Sequence, residues 1–362
     1  MNNEDYAVVV GIRAYPGFGR TRTDANDLNG PDNDATAVHE WLVAQEKGGV
    51  PRENVKLIRS IDFAQPFATV TSAAPQKQAI LDAFSDLVAK AEDNLAEGRQ
   101  MRVGRRFYAY MSGHGFAMER RKGGLFVANA TRLQPHHVFS SEWVNLFSCA
   151  RYFDECVLWM DCCMSFDIPI VPDPPTHKLI RPSGETGKIF AAFAAKYPQR
   201  AVEDRMADDK WHGIFTYALL LGLNGDAIDP NTGNVTSESL KNYLFNHMKS
   251  FMSEAHLSQP DVSKEPDFGP DDPVVFWSPP DSRVTPMNFP IEILFPQSAR
   301  GNAYRILTGA PPRIIAQGTV PAAPVQVQLP LGLYFVKMDT PALSHGFEVL
   351  GGGDGPIQIK FE

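Results

Sequence analysis

Two short stretches of this chain carry residues that do chemistry when brought together. One is Ser112-Gly113-His114-Gly115 and the other is Asp161-Cys162-Cys163-Met164-Ser165. A thiol is a strong nucleophile only as the thiolate, and a nearby imidazole takes its proton or stabilises it as an ion pair. Gly113 and Gly115 allow a sharp turn and a close approach of substrate backbone. A backbone N–H beside the nucleophile stabilises an oxyanion, and Gly115 is the candidate donor. No third member of a triad is readable, and a dyad suffices in principle. The competing reading is a buried structural cysteine and an unrelated loop histidine. The flanks, the strand contexts and the spacing agree with one another and weigh against it.

Both stretches follow apolar strands. Residues 106–111 (RFYAYM) precede the histidine and residues 156–160 (CVLWM) precede the cysteines. Open parallel sheets place their active sites just past the C-terminal ends of strands. His114 and Cys163 lie 49 residues apart, with one amphipathic helix expected over 140–153 between the strands. A single crossover helix makes the two strands neighbours. The rest of the first 280 residues alternates in the same way. Strands are expected over 6–12, 54–60, 188–195 and 272–278, and helices over 32–46, 76–95, 214–223 and 237–251. This predicts an α/β fold, a mostly parallel six-stranded sheet with helices on both faces. After Pro279-Pro280 the texture changes to short β-rich runs punctuated by Gly and Pro. Residues 1–280 therefore read as one domain, and 283–362 as a small β-sandwich of immunoglobulin size. Two long loops, 13–29 and 166–187, have the length of functional segments.

The remaining signals exclude more than they suggest. The chain has 362 residues, net charge −8 and 43% hydrophobic residues, which argues against a nucleic-acid binder held by a basic surface. No apolar run reaches the length of a membrane span, and the N-terminus does not read as a signal peptide. Four clustered cysteines are too few for a disulfide framework and fit a reducing, cytoplasmic setting. His39-Glu40 lacks the second histidine of a zinc motif, because position 43 is Val. Residues 184–188 resemble a phosphate loop, but the spacing is short and Ile189 stands where Ser or Thr is needed. His136-His137 reads as a surface pair in a loop. The basic runs 99–106 and 119–122 read as solvated loop ends. No metal set and no cofactor are expected.

Five motifs in one order resemble caspase-like cysteine peptidases, in the style of metacaspases and their bacterial relatives. They are GI-x-x-Y (Gly11, Ile12, Tyr15), L-x-G-x-x-N-D-A (Leu28, Gly30, Asn33, Asp34, Ala35), Y-x-S-G-H-G (110–115), D-C-C-x-S (Asp161, Cys162, Cys163, Ser165) and G-x-F-T-Y-A-L-L (213–220). The resemblance covers about residues 5–280. It implies a six-stranded α/β sheet with the catalytic His and Cys after its third and fourth strands. Carried over by position, His114 is the general base and Cys163 the nucleophile. Cys162 takes the place before the nucleophile. The chain departs from metacaspases in Met164-Ser165-Phe166, where they have His-Ser-Gly, and in Pro31, where they commonly have Cys. Calcium activation, a regulatory trait of metacaspases, finds no support in these residues. The β-rich tail lies outside the resemblance.

In Arg/Lys-specific members the first substrate pocket is built from positions that correspond to Asp34, Ser112 and Asp161. Two converging carboxylates attract a guanidinium or ammonium and repel an acidic side chain. The arginines with which caspases proper recognise Asp have no counterpart here. The alternative for Asp34 is a helix cap, and for Asp161 a loop anchor. The expected function is thus an endopeptidase cutting after Arg or Lys, with a protein or peptide as partner. The resemblance adds regulated death or antiviral defence as context, sometimes through cleavage of a pore-forming protein. The rival is an inactive caspase-like adaptor that binds protein partners through its β-domain. A nucleotide-binding α/β domain is disfavoured by the missing phosphate loop.

Overall fold

The computed structural model describes residues 4–21, 24–165, 170–171, 173–175, 186–278, 289–308, 313–329, 332–340, 342–349 and 356–360. Most of the proline-rich loop expected over 166–187 lies outside them, as do Arg22 of the first loop and the junction at 279–288. By contacts the chain divides into one compact unit of residues 1–228 with 235–278 and a second holding 279–362 with 229–234.

In the first unit β1 (Asp5–Gly11) leads to α1 (Pro31–Val43), then β2 (Val55–Arg59), α2 (Lys77–Ala96) and β3 (Gly104–Ser112). A three-stranded excursion follows, of β4 (Gly115–Glu119), β5 (Lys122–Phe126) and β6 (His137–Val138). The chain continues through α3 (Ser140–Cys149), β7 (Phe153–Asp161) and β8 (Lys188–Phe193). Then come the hairpin β9 (Glu203–Arg205) and β10 (Trp211–Gly213), α4 (Ile214–Leu221), β11 (Val235–Thr236), α5 (Ser237–His247), α6 (Glu254–Leu257), β12 (Asp267–Asp271) and β13 (Val275–Trp277).

The main sheet has the order β12-β8-β7-β3-β1-β2. β2, β1, β3, β7 and β8 run parallel, and β12 closes the edge antiparallel to β8. Side chains alternate across it, as strand geometry demands. Val8, Val10, Phe107, Ala109 and Leu158 pack with α2 and α3 through Phe84, Leu87, Trp143 and Phe147. Ala7, Val9, Tyr108, Tyr110 and Trp159 pack on the other face with α1, α4 and α5 through Val38, Leu42, Phe215, Leu219 and Leu244. Both faces being apolar is why these strands read as continuous hydrophobic runs.

Several expectations need correcting. The sixth strand is 267–271 and not 272–278, whose residues 275–277 pair instead with β11. The true edge strand reads DFGPD, and Pro is tolerated there because an edge leaves N–H groups unpaired. The helix expected over 140–153 ends at Cys149. Arg151 takes a left-handed φ of 56° and turns the chain straight into β7. His137 is buried, not a surface residue, because it pairs with Phe126 in the β5–β6 ladder. Arg106 is likewise buried, with Glu155 and the Val275 carbonyl as partners.

In the second unit the strands are β14 (Phe289–Leu294), β15 (Ala303–Thr308), β16 (Arg313–Thr319), β17 (Val325–Leu329), β18 (Gly332–Asp339), β19 (Ala342–Val349) and β20 (Ile357–Lys360). They form a sheet β17-β14-β20 and a sheet β16-β15-β18-β19. Ile291 and Ile293 of the first sheet share one apolar core with Ile306, Val336 and Phe347 of the second.

Candidate active site

β3 and β7 are paired in parallel and end together, Ser112 opposite Asp161. His114 and Cys163 each stand two residues beyond that last pair. Both line one cleft of about 460 Å³ at the C-terminal end of the sheet, together with Asp34, Ser112, Gly115 and Asp161. All six residues singled out from the sequence are therefore brought to one place.

The histidine is held by parts of the chain distant in sequence. Its backbone N–H donates to the Tyr15 hydroxyl at 3.0 Å, and that hydroxyl donates to the Phe126 carbonyl at 3.0 Å. The ring packs edge-on against Tyr15 and beside Phe18. Nε2 lies 2.8 Å from the carbonyl oxygen of Asn26. A carbonyl can only accept, so Nε2 carries the hydrogen, and the neutral ring keeps Nδ1 as its basic nitrogen. Burial disfavours the imidazolium and holds His114 below its ordinary value, against the Asn26 bond and Asp27 that act to raise it. The neutral base is therefore the resting form at neutral pH.

The two adjacent cysteines differ. Cys162 is buried, and burial followed by the charge of Cys163 pushes its thiol well up. Cys163 is partly exposed, and its Sγ donates to the Ala201 carbonyl at 3.7 Å. A Cβ on Gly115 would stand 2.5 Å from Cys162 Sγ and 3.0 Å from the Cys163 carbonyl, so this position must be glycine. Gly113 has φ of 152°, and a Cβ there would meet the Tyr15 hydroxyl. Phe126 N donates to His114 O at 2.8 Å, which makes Gly115–Leu125 a non-hydrogen-bonded pair of the β4–β5 ladder. The Gly115 N–H is therefore left out of that ladder.

The other end of the cleft is acidic. Asp34 on α1 is buried, with Oδ2 accepting from Gly213 N at 3.0 Å and from Ser112 Oγ at 3.4 Å. Its Oδ1 meets His212 Nδ1 at 2.7 Å. The N-cap of α1 is Gly30, so Asp34 is not the helix cap. Asp161 Oδ2 accepts from Thr216 N at 2.9 Å and Thr216 Oγ1 at 2.6 Å. Burial raises Asp34 to about 6, against the bonds from His212 and Gly213, and Glu203 adds to the rise. Burial and then the charge of Asp34 raise Asp161 to about 7. Among the described residues no group of three or more His, Cys, Asp or Glu is set to hold a metal ion.

Sequence reasoning missed four participants. Asn26 acts through its backbone, which no side-chain pattern announces. Tyr15 was visible only as a motif letter. Glu203 lines the cleft and is held by Asn29 N and Gly30 N at 2.9 and 2.8 Å, but it sits in a three-residue strand that looks like surface loop. His212 stands one residue before the G-x-F-T-Y motif, and that adjacency was the available signal.

No protein-family model matches the chain. It is 27% identical over 246 residues to a probable protease of a Desulfuromonadales bacterium, across 61% of this chain. It spans about a quarter of that relative's length (26%). Among solved structures it is similar to caspase-1 of Spodoptera frugiperda, with a TM-score of 0.46 and 11% identity over 76% of this chain and 92% of that one. A protein of Geobacter sulfurreducens gives a TM-score of 0.43 and 14% identity over 73% and 92%. No helix of the described residues is long and apolar enough to cross a membrane.

Proposed function

We propose that this chain is a cysteine endopeptidase that hydrolyses peptide bonds after Arg or Lys, with Cys163 as nucleophile and His114 as general base. The observation that carries the reading is one cleft holding a neutral, carbonyl-anchored imidazole and a partly exposed thiol beside three carboxylates, Asp34, Asp161 and Glu203. His114 Nδ1 takes the Cys163 proton, and the thiolate attacks the scissile carbonyl carbon. The Gly115 N–H stabilises the oxyanion of the tetrahedral intermediate. Collapse breaks the C–N bond, and His114 returns the proton to the leaving amine. Water, deprotonated by the same imidazole, then hydrolyses the thioester and frees Cys163. Asp34, Ser112 and Asp161 line the pocket for the basic P1 side chain.

The activity belongs to residues 1–280, and 283–362 form a separate β-sandwich domain for contacts with protein partners. Four cysteines, too few and too clustered for a disulfide framework, support a reducing, cytoplasmic setting. The test is a peptide library scanned at P1, with labelling of Cys163 by an electrophile carrying P1 Arg. Turnover of Arg and Lys peptides with labelling at Cys163 is expected. A preference for P1 Asp, or labelling that survives in Cys163→Ala, would overturn the reading.

A further inference from the structure

His212 lies almost fully buried between two carboxylates. Its Nδ1 is 2.7 Å from Asp34 Oδ1 in the cleft, and its Nε2 is 3.1 Å from Asp208 Oδ2. Asp208 is half exposed, with 46% of its side chain open to solvent. An ionised carboxylate only accepts hydrogen bonds, so both contacts are satisfied together when the ring carries two hydrogens. We propose that Asp208–His212–Asp34 is a relay that keeps the pocket floor charged, which makes His212 a positioning residue for recognition of a basic P1 side chain. The inference rests on the acidic-pocket reading and deepens it.

The physics follows from the crowding of like charges. Asp34 is buried, and Asp161 and Glu203 act on the same cleft. Without a counter-charge such a carboxyl takes up a proton, and a neutral acid gives a guanidinium little attraction. An imidazolium at Oδ1 holds Asp34 ionised while Oδ2 stays bonded to Gly213 N and Ser112 Oγ. Asp208 balances the imidazolium from outside, so the three groups together carry one net negative charge. Burial works against the imidazolium, but the bonds and charges of Asp34 and Asp208 outweigh it and hold His212 above its ordinary value. The groups facing the ring are Asp34 from α1, Asp208 from the β9–β10 turn and Tyr217 from α4, its ring centroid 6.0 Å away. Asp204, opposite His212 in the hairpin, is turned to His256 instead.

The experiment compares kcat/KM against pH for two peptides, one with P1 Arg and one with P1 citrulline, its uncharged isostere. Wild type, Asp208→Asn and His212→Gln are measured. Losing Asp208 lowers the affinity of His212 for its proton, so Asp34 ionises at higher pH. The acidic limb for Arg then moves upward by about half a pH unit in Asp208→Asn and by about one unit or more in His212→Gln. At about pH 6.5 the Arg rate of His212→Gln falls roughly threefold or more, through KM more than kcat. The citrulline limb, which reports His114 and Cys163, does not move. Movement of both limbs together, or of neither in Asp208→Asn, overturns the relay. Asp208 is exposed enough that its variant folds even if His212→Gln does not. A wild type that does not prefer Arg to citrulline overturns the pocket reading itself, and the relay with it.

Discussion

Ser112 and Asp161 are opposite one another in the register of β3 and β7, as the last pair before both strands leave the sheet. That one relationship positions both parts of the proposed site. The pair itself faces the acidic pocket, where Ser112 bonds Asp34 and Asp161 bonds Thr216. Two residues further along each chain come His114 and Cys163, at matched distances from a common edge. The proposed nucleophile, base and pocket are thus set by the rigid sheet, and only the last short steps depend on loop conformation.

The two cysteines should separate cleanly. Cys163→Ala is expected to abolish peptide hydrolysis, and Cys162→Ala to keep most of it while losing about 1 kcal/mol of stability from a small buried cavity. Cys162 is buried against Gly115, whereas Cys163 is partly exposed. Turnover assays with thermal melts read both effects, and a dead Cys162→Ala beside an active Cys163→Ala would reverse the assignment.

Cleavage after Arg should depend on pH in a way that cleavage after a neutral residue does not. Asp34 and Asp161, raised to about 6 and about 7, attract a P1 cation only when ionised. Their charge is lost as pH falls through those values, so the ratio of Arg to citrulline turnover should rise from pH 5 to pH 8. Burial holds His114 below its ordinary value, and its own titration moves Arg and citrulline turnover alike, leaving their ratio to the carboxylates. A flat ratio would show that the carboxylates do not meet the P1 side chain.

The pocket should also cost stability. Asp161 binds its proton more tightly folded, at about 7, than unfolded, near 3.8. Its contribution is fully present below 3.8 and is lost as pH rises through 7. Asp161→Asn keeps the shape and an acceptor for Thr216 but carries no charge. At about pH 8 it should melt higher than wild type, by about 1–2 kcal/mol or a few degrees, while its Arg turnover drops. Near pH 4 the two should melt alike.

Gly115→Ala tests the packing that joins the two halves of the proposed dyad. The added methyl would stand 2.5 Å from Cys162 Sγ and 2.6 Å from its Cβ, both inside van der Waals contact. Separating β4 from the 162–163 turn should cost about 2 kcal/mol or more of stability and most of the activity. Normal melting with normal turnover would mean that the turn yields easily.

The β-rich tail should be dispensable for chemistry. Every residue of the site and all six strands of the main sheet precede position 279. A chain ending at Ser278 is expected to cleave small peptides, with any loss confined to protein substrates. A folded truncation with no peptide turnover would make the tail part of the site.

Much of this protein can be read from its amino acids alone, because burial on both faces of a parallel sheet demands long apolar runs that nothing else explains. Those runs, and the short motifs at their ends, located β1, β3, β7 and β8 and marked His114, Cys163, Asp34, Ser112, Asp161 and Gly115. The signal failed where structure is made by pairing more than by composition. β12, with its Gly and Pro, is a strand only because β8 offers it an edge, and β9–β10 is too short to show a period. Tertiary structure alone decided what lies beside the marked residues. The Asn26 carbonyl orients His114 through backbone, which carries no residue identity. Glu203 and His212 join the pocket because a hairpin folds back over α1, placing His212 against Asp34 across 178 residues of chain. Contacts at that separation depend on chain path and packing, and local spacing has no term for either.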